Sequence, residues 1–231
     1  MVLLTSVNVS GQNTGSIVFE RKTNLYKRFT DPSIRQWIKP EDQYKMDYFT
    51  LFFNDTSSIF MPQESDAAPY MSWVTQRHTT KTSLVTKKME RHMDAQAAVF
   101  CMIDSIKTPA WKITDIKRVI AGYNCFKAFY EKNDSTNVYA WFSPDLPVSV
   151  GPEGYSGLPG TILGLAAENG GEIYFATSVN LNAPNAKDLV MDKFKGKVYT
   201  YNELLGFLKT SFGDKMNDQE FYTYMNSFFG L

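Results

Sequence analysis

Residues 143–160 hold four prolines (Pro144, Pro147, Pro152, Pro159) and four glycines (Gly151, Gly154, Gly157, Gly160). Proline lacks a backbone N–H and clashes with the preceding turn, which bars this stretch from a helix interior and from a central strand. The spacing therefore predicts an extended, fixed loop, a structural motif that also takes in Leu158. Proline narrows the freedom of the unfolded chain, and glycine permits close or left-handed backbone paths. Such a path serves as a brace that closes a β core. It also serves as a preformed recognition surface, because ordered loops on rigid scaffolds carry binding. In that reading Trp141, Phe142 and Tyr155 are the binding anchors, with Asp145 and Glu153 beside them. The two readings are compatible.

The flanks read as strands. Ile17 and Phe19 share one face of a first strand, and Phe49, Leu51 and Phe53 alternate in a second. The Asn54–Ser57 stretch turns the chain into Ile59-Phe60-Met61 as a hairpin. Residues 62–72 form a polar connection. Residues 79–90 and 95–106 read as strands joined near 91–94, although 89–100 also fits a helix. Residues 111–115 and 118–130 read as a strand pair around a turn at 115–117, and 137–142 resumes the sheet after a polar turn at 131–136. Beyond the loop, 162–167 and 172–181 form a hairpin around Asn169-Gly170-Gly171. The period then changes. Thr200 and Glu203 make a capping-box pattern ahead of Leu204, Leu205 and Leu208, and Asn217 to Glu220 is a looser version ahead of Phe221, Tyr224, Met225 and Phe228.

The fold class expected is mainly β (α+β): a curved antiparallel sheet or half-barrel of about eight to ten strands with two C-terminal helices. A single domain is expected over 12–231, with the helical tail at about 200–229. Aromatic residues reach 15%, including 17 Phe and 13 Tyr, which suits ring packing across strands. Lys plus Arg and Asp plus Glu both count 24, so the basic excess that phosphate-backbone binding needs is absent and nucleic acid is excluded as a partner. No apolar run approaches the roughly 18 residues of a membrane span. Residues 1–11 read either as the remnant of an export signal or as a disordered start. Cys101 and Cys125 each sit in a strand-like run, which allows one disulfide in an oxidising compartment or two small buried side chains.

The stretch 140–164, with Gly157-Leu158-Pro159-Gly160-Thr161-Ile162 at its heart, closely resembles the signature of the GLPGLI family of exported Bacteroidota proteins. The blocks 111–115, 120–128 and 15–20 are similar to that family's pattern as well. The resemblance runs from about 15 to 182, with its specific motifs inside 111–166. One residue departs: Thr161 stands where the family name has leucine. The resemblance implies export to the periplasm or cell envelope, which supports reading 1–11 as a signal remnant. The family has no assigned activity, so it carries over no catalytic residues.

The residues themselves offer little chemistry. Gly154-Tyr155-Ser156-Gly157 lacks the Gly-x-Ser-x-Gly spacing of a nucleophile elbow. His78 and His92 lie in polar stretches expected to be exposed, and their separation matches no usual zinc spacing. No phosphate cradle or dinucleotide fingerprint is present, so no cofactor or metal is expected. Asp145 and Glu153, held near aromatics, are the remaining pair, and they match the way a sugar-cleaving cleft is built. The plainer reading has Asp145 ordering its turn and Glu153 solvated. The function expected is therefore a non-enzymatic exported envelope protein that binds a protein partner or an apolar ligand in the sheet's concavity. A carbohydrate-active or hydrolytic enzyme using Asp145 and Glu153 is the alternative.

Overall fold

Side-chain alternation sets the first strands of the computed structural model, which describes residues 13–29, 31–63, 75, 78–94, 98–133, 136–212, 217, 218, 221 and 225. In β1 (Gly15–Asn24) Ile17 and Phe19 point inward, and in β2 (Tyr44–Phe53) Phe49, Leu51 and Phe53 do. Between them lie two single-turn helices, α1 (Leu25–Arg28) and α2 (Pro32–Arg35). Asn24 caps the first through its side chain, and Asp31 caps the second with Pro32 just inside. The Asn54 side chain accepts from the backbone N–H of Thr56 at 2.9 Å and of Ser57 at 2.8 Å, folding β2 onto β3 (Ser57–Pro62).

The chain continues through β4 (Thr79–Ser83), β5 (Lys88–Asp94), β6 (Val99–Ser105), β7 (Lys112–Ile120), β8 (Tyr123–Asn133) and β9 (Thr136–Ser143). After the Pro/Gly segment come β10 (Thr161–Ala167), β11 (Glu172–Asn180), the short β12 (Val198–Tyr199) and helix α3 (Tyr201–Phe212). All of the strands join one sheet in the order β12-β6-β5-β4-β3-β2-β1-β11-β10-β9-β8-β7. Every pairing is antiparallel except β12 with β6. The sheet is curved. Arg118 on β7 lies over Trp141 on β9 at 5.3 Å and over Phe175 on β11 at 4.8 Å, a reach that a flat sheet would forbid.

Twelve strands replace the expected eight to ten, because the run 79–90 divides and the short parallel β12 adds a further strand. The run 79–90 is two strands, because the chain turns at 84–87, with Lys87 at φ 54°. The strand β5 then passes straight through 91–94, where a turn was expected, and 89–94 is strand and not helix. Likewise β7 does not turn at 115–117. A bulge there lets it run on to Ala121-Gly122, both at positive φ (48° and 85°), as a two-residue hairpin requires. The expected connection at 64–72 and the segment 1–11 lie outside the described residues.

Two apolar clusters cover the inner face. One gathers Ile17, Phe19, Phe49, Leu51, Phe53 and Phe60 with residues of β8 to β11, and Phe49 stacks on Phe60 at 4.8 Å. The other packs Leu204 and Leu208 of α3 onto Met93 and Met102 of β5 and β6. Phe221 and Met225, both helical, join that second cluster, as the C-terminal helical pattern predicts. The capping box forms: Thr200 N donates to Glu203 Oε2 at 2.7 Å, and Glu203 N donates to Thr200 Oγ1 at 3.4 Å. No helix among the described residues is long and apolar enough to cross a membrane.

Candidate functional site

The Pro/Gly segment is a strap across the inner face. It leaves β9 at Ser143 and buries Leu146, Val148, Val150 and Leu158 in the larger cluster. Pro152–Gly154 forms one tight turn that lies against β4 and β5, where a Cβ on Gly154 would meet Met89 Sδ at 3.0 Å. The strap then returns to β10. Gly160, at φ 148°, passes so near β9 that a Cβ there would sit 2.1 Å from Ser143 O. Pro152, Gly151 and Gly160 are buried, while Pro144, Pro147, Pro159 and Gly157 face outward.

Thr161, the residue that departs from the family hexapeptide, has a structural part here. It is fully buried, and its hydroxyl donates to Val148 O at 2.7 Å, with Leu146 O at 3.2 Å, while its N–H donates to Leu146 O at 2.8 Å. A leucine would leave those strap carbonyls with one partner fewer.

Beneath the strap runs a chain of buried charges. The register places Tyr174 of β11, Arg21 of β1 and Asp47 of β2 side by side in one row. Arg21 is fully buried; its Nη2 donates to Asp47 Oδ2 at 2.8 Å, and its guanidinium lies over the Phe49 ring at 4.6 Å. Lys45 Nζ reaches Asp47 Oδ1 at 3.3 Å and donates to Thr75 Oγ1 at 2.8 Å. On the other side Tyr174 OH donates to Glu153 Oε1 in the strap at 3.1 Å. Arg91 of β5 completes the chain: it donates to Glu153 O at 2.9 Å and to Thr80 Oγ1 at 3.1 Å, with its Nη2 3.5 Å from Glu153 Oε2. Glu153 holds φ 53°, a strained conformation for a residue with a side chain, and these bonds keep it there. One carboxylate thus ties the strap to both halves of the sheet.

Burial and neighbouring charges move the titration of three of these groups. Burial alone would lower the Arg21 guanidinium, but Tyr174, Glu172 and Asp47 outweigh it and hold the charge more firmly than usual. Burial pushes the Asp47 carboxyl up, yet Arg21 and Lys45 together keep it below its ordinary value. The Tyr174 hydroxyl is driven far upward by burial and then by Glu153 and Glu172. General acid–base work needs a group poised near the working pH. These three are moved away from neutrality.

The residues read from the sequence fall in different places. Phe142 is core, Trp141 is half-buried under Arg118, and Tyr155 is half-buried with its OH 3.2 Å from Tyr130 OH. They do not form one exposed patch. Asp145 is exposed in the turn after β9, whereas Glu153 turns inward onto Tyr174 and Arg91 instead of being solvated. Of the two readings left open for the cysteines, the geometry fits two small buried side chains: Cys101 and Cys125 are free and buried, on β6 and β8, with eight strands between those two in the sheet order. Burial pushes each thiol up to about 11, with Glu90 adding to the effect at Cys101 and Ile120 and Arg118 opposing it at Cys125. The expected exposure of the histidines is corrected, since His78 is only 2% exposed and the His92 side chain 17%. On the outer face, strand pairing gathers Glu90, His92 and Cys101, a donor set that the sequence spacing conceals.

Arg21, Asp47, Tyr174 and Arg91 were not singled out by the sequence reading. A signal did exist. Continuing the inward phase Ile17, Phe19 lands on Arg21, and running back from Phe49 lands on Asp47. A charge in the apolar phase of a strand announces a buried partner.

Fold and site together define a class: an open, curved antiparallel sheet strapped by its own Pro/Gly loop through a buried ionic chain. A family model described as a protein of unknown function (Porph_ging) matches residues 129–164, which span the end of β8, β9, the strap and the start of β10. No curated protein matches the chain. Among solved structures, PNGF-II is similar at a TM-score of 0.55 and 16% identity, covering 86% of this chain and 34% of that one. The chain thus spans about a third of the length of PNGF-II, and the likeness is one of fold. MucB in complex with MucA(peri) gives a TM-score of 0.43 at 12% identity over 79% of this chain and 55% of that one. An uncharacterised conserved protein from Thermus thermophilus gives 0.43 at 5% identity over 82% and 91%.

Proposed function

We propose that this chain is a non-enzymatic, exported cell-envelope protein of the GLPGLI type whose sheet docks a protein partner on its outer face. The observation that carries this reading is the unequal treatment of the two faces. The inner face carries the chain's own strap, α3 and the ionic chain, while on the outer face the β11–β12 connection reaches His92 and leaves a row on β2 exposed. On the outer face of β2, Tyr44, Met46 and Tyr48 stand in a row at 47%, 38% and 46% exposure, with Met61 of β3 at 37%. Lys22 Nζ lies 4.1 Å from the Tyr44 ring centroid, and Tyr48 OH donates to Glu20 at 3.3 Å, so charges of both signs border the rings. Tyr and Met with a polar border are what protein interfaces select. Export is supported by the family resemblance, whose central motif falls within the matched stretch 129–164.

A photo-crosslinking residue placed at Met46 in cells tests this, with Val85, 71% exposed in the β4–β5 turn, as the control position. One envelope protein cross-linked at Met46 and absent at Val85 is the expected outcome. Equal labelling at both positions, or a stoichiometric lipid in native mass spectra with nothing cross-linked at Met46, would replace the protein-docking reading.

A further inference from the structure

The strand pair β5–β6 brings three metal-binding side chains to one point on the face opposite Arg91 and Met93. Glu90 and His92 are two residues apart on β5 and so share a face, and His92 is directly paired with Cys101 on β6. Glu90 Oε1 receives both neighbours: His92 Nε2 lies 2.9 Å away and Cys101 Sγ lies 3.8 Å away. All three donor atoms fall within 4.8 Å of one another. A tetrahedral zinc ion with bonds of about 2.0–2.3 Å sets its ligands about 3.3–3.6 Å apart, so a shift of about an ångström or less in the side chains would seat it.

We propose that Glu90, His92 and Cys101 bind one Zn²⁺ per chain, with solvent in the fourth position. The donor set decides the metal. A thiolate and an imidazole disfavour calcium and magnesium, and one sulfur, one nitrogen and one oxygen suit zinc. On binding, the thiol proton leaves to solvent and zinc takes the Nε2 lone pair of an imidazole whose one proton sits on Nδ1, so the dication occupies the place between Glu90, His92 and Cys101. The surroundings favour a defined site. Cys101 is fully buried, while Glu90 and His92 keep 30% and 17% of their side chains exposed, which leaves a path for the ion and for a water ligand. Phe194, from the connection between β11 and β12, lies against the imidazole at 5.3 Å between ring centroids and fixes its plane. The sequence hides the site because His92 and Cys101 lie on different strands, and only strand pairing closes that gap. The site lies apart from the docking row on β2 and does not depend on it.

The test uses the full chain, stripped with chelator and titrated with Zn²⁺ against a competing chelator, then with Co²⁺ as a spectroscopic probe. One zinc per chain is expected, together with a thiolate-to-cobalt charge-transfer band. C101S should lose that band, H92Q should weaken zinc by about tenfold or more, and C125S should match the wild type. Because Cys101 is buried and its serine variant can misfold, H92Q and E90Q at the partly exposed positions carry the test independently. No saturable zinc binding by the wild type, or equal affinity in the wild type and H92Q, overturns the proposal.

Discussion

Arg21 occupies an inward position of β1 that Ile17 and Phe19 would otherwise reserve for an apolar side chain. A guanidinium there is tolerated only because Asp47, Tyr174 and the Phe49 ring surround it. Removing one partner should therefore do more harm than removing both. Asp47→Ala takes the direct charged partner from both Arg21 and Lys45 and should destabilise the fold by roughly 3–5 kcal/mol, whereas Arg21→Met with Asp47→Leu should lose less, as read by urea unfolding. The acid limb follows from the same pair. The Asp47 carboxyl is held below its unfolded value, so its contribution is complete above about pH 4 and fades as pH falls toward the folded value. Asp47→Asn should thus flatten the acid dependence of stability, and an unchanged slope would place the acid sensitivity elsewhere.

At the scale of elements, the strap and α3 respond oppositely to the same substitution. Gly160→Ala sets a Cβ against Ser143 O at φ 148° and should destabilise by roughly 1–3 kcal/mol, shortening the path to unfolding by freeing the strap. Gly206 in α3 has open space around it, and Gly206→Ala should stabilise by about 0.5–1 kcal/mol. Thermal melts of the two variants decide; a harmless Gly160→Ala would mean that the strap's path is not held by close contact with β9. The strap was legible because proline and glycine restrict the backbone locally. The β4–β5 hairpin was not, because Val85 and Thr86 read as strand residues while the turn depends on Lys87 taking a positive φ. For β7, Asp115 to Lys117 looked like a turn, but a bulge absorbed it and Gly122 made the real one.

Across the whole molecule, strand pairing is fullest at the middle of the sheet and sparsest at its edges. β1 pairs along its length with both β2 and β11, whereas β7 ends the sheet with a bulge and the charges Lys112, Asp115, Lys117 and Arg118. Charge and a bulge keep such an edge from pairing with another chain. Hydrogen exchange should accordingly release the outward amides of β7 first and those of β1 last. Uniform exchange across the sheet would show that the strap and ionic chain equalise its strength.

Local chemistry written along the chain determined the alternating strands, the capped C-terminal helix and the stiffness of the proline-dense loop, because each depends on neighbours a few residues away. Tertiary structure alone decided that Glu153 clamps onto Tyr174 and Arg91, that Arg21 finds Asp47, and that Glu90, His92 and Cys101 meet. Apart from Glu90 and His92, which share a face at strand spacing, those contacts join residues whose separation in sequence carries no period. The register of a curved sheet, set by the burial of one whole face, brings them together.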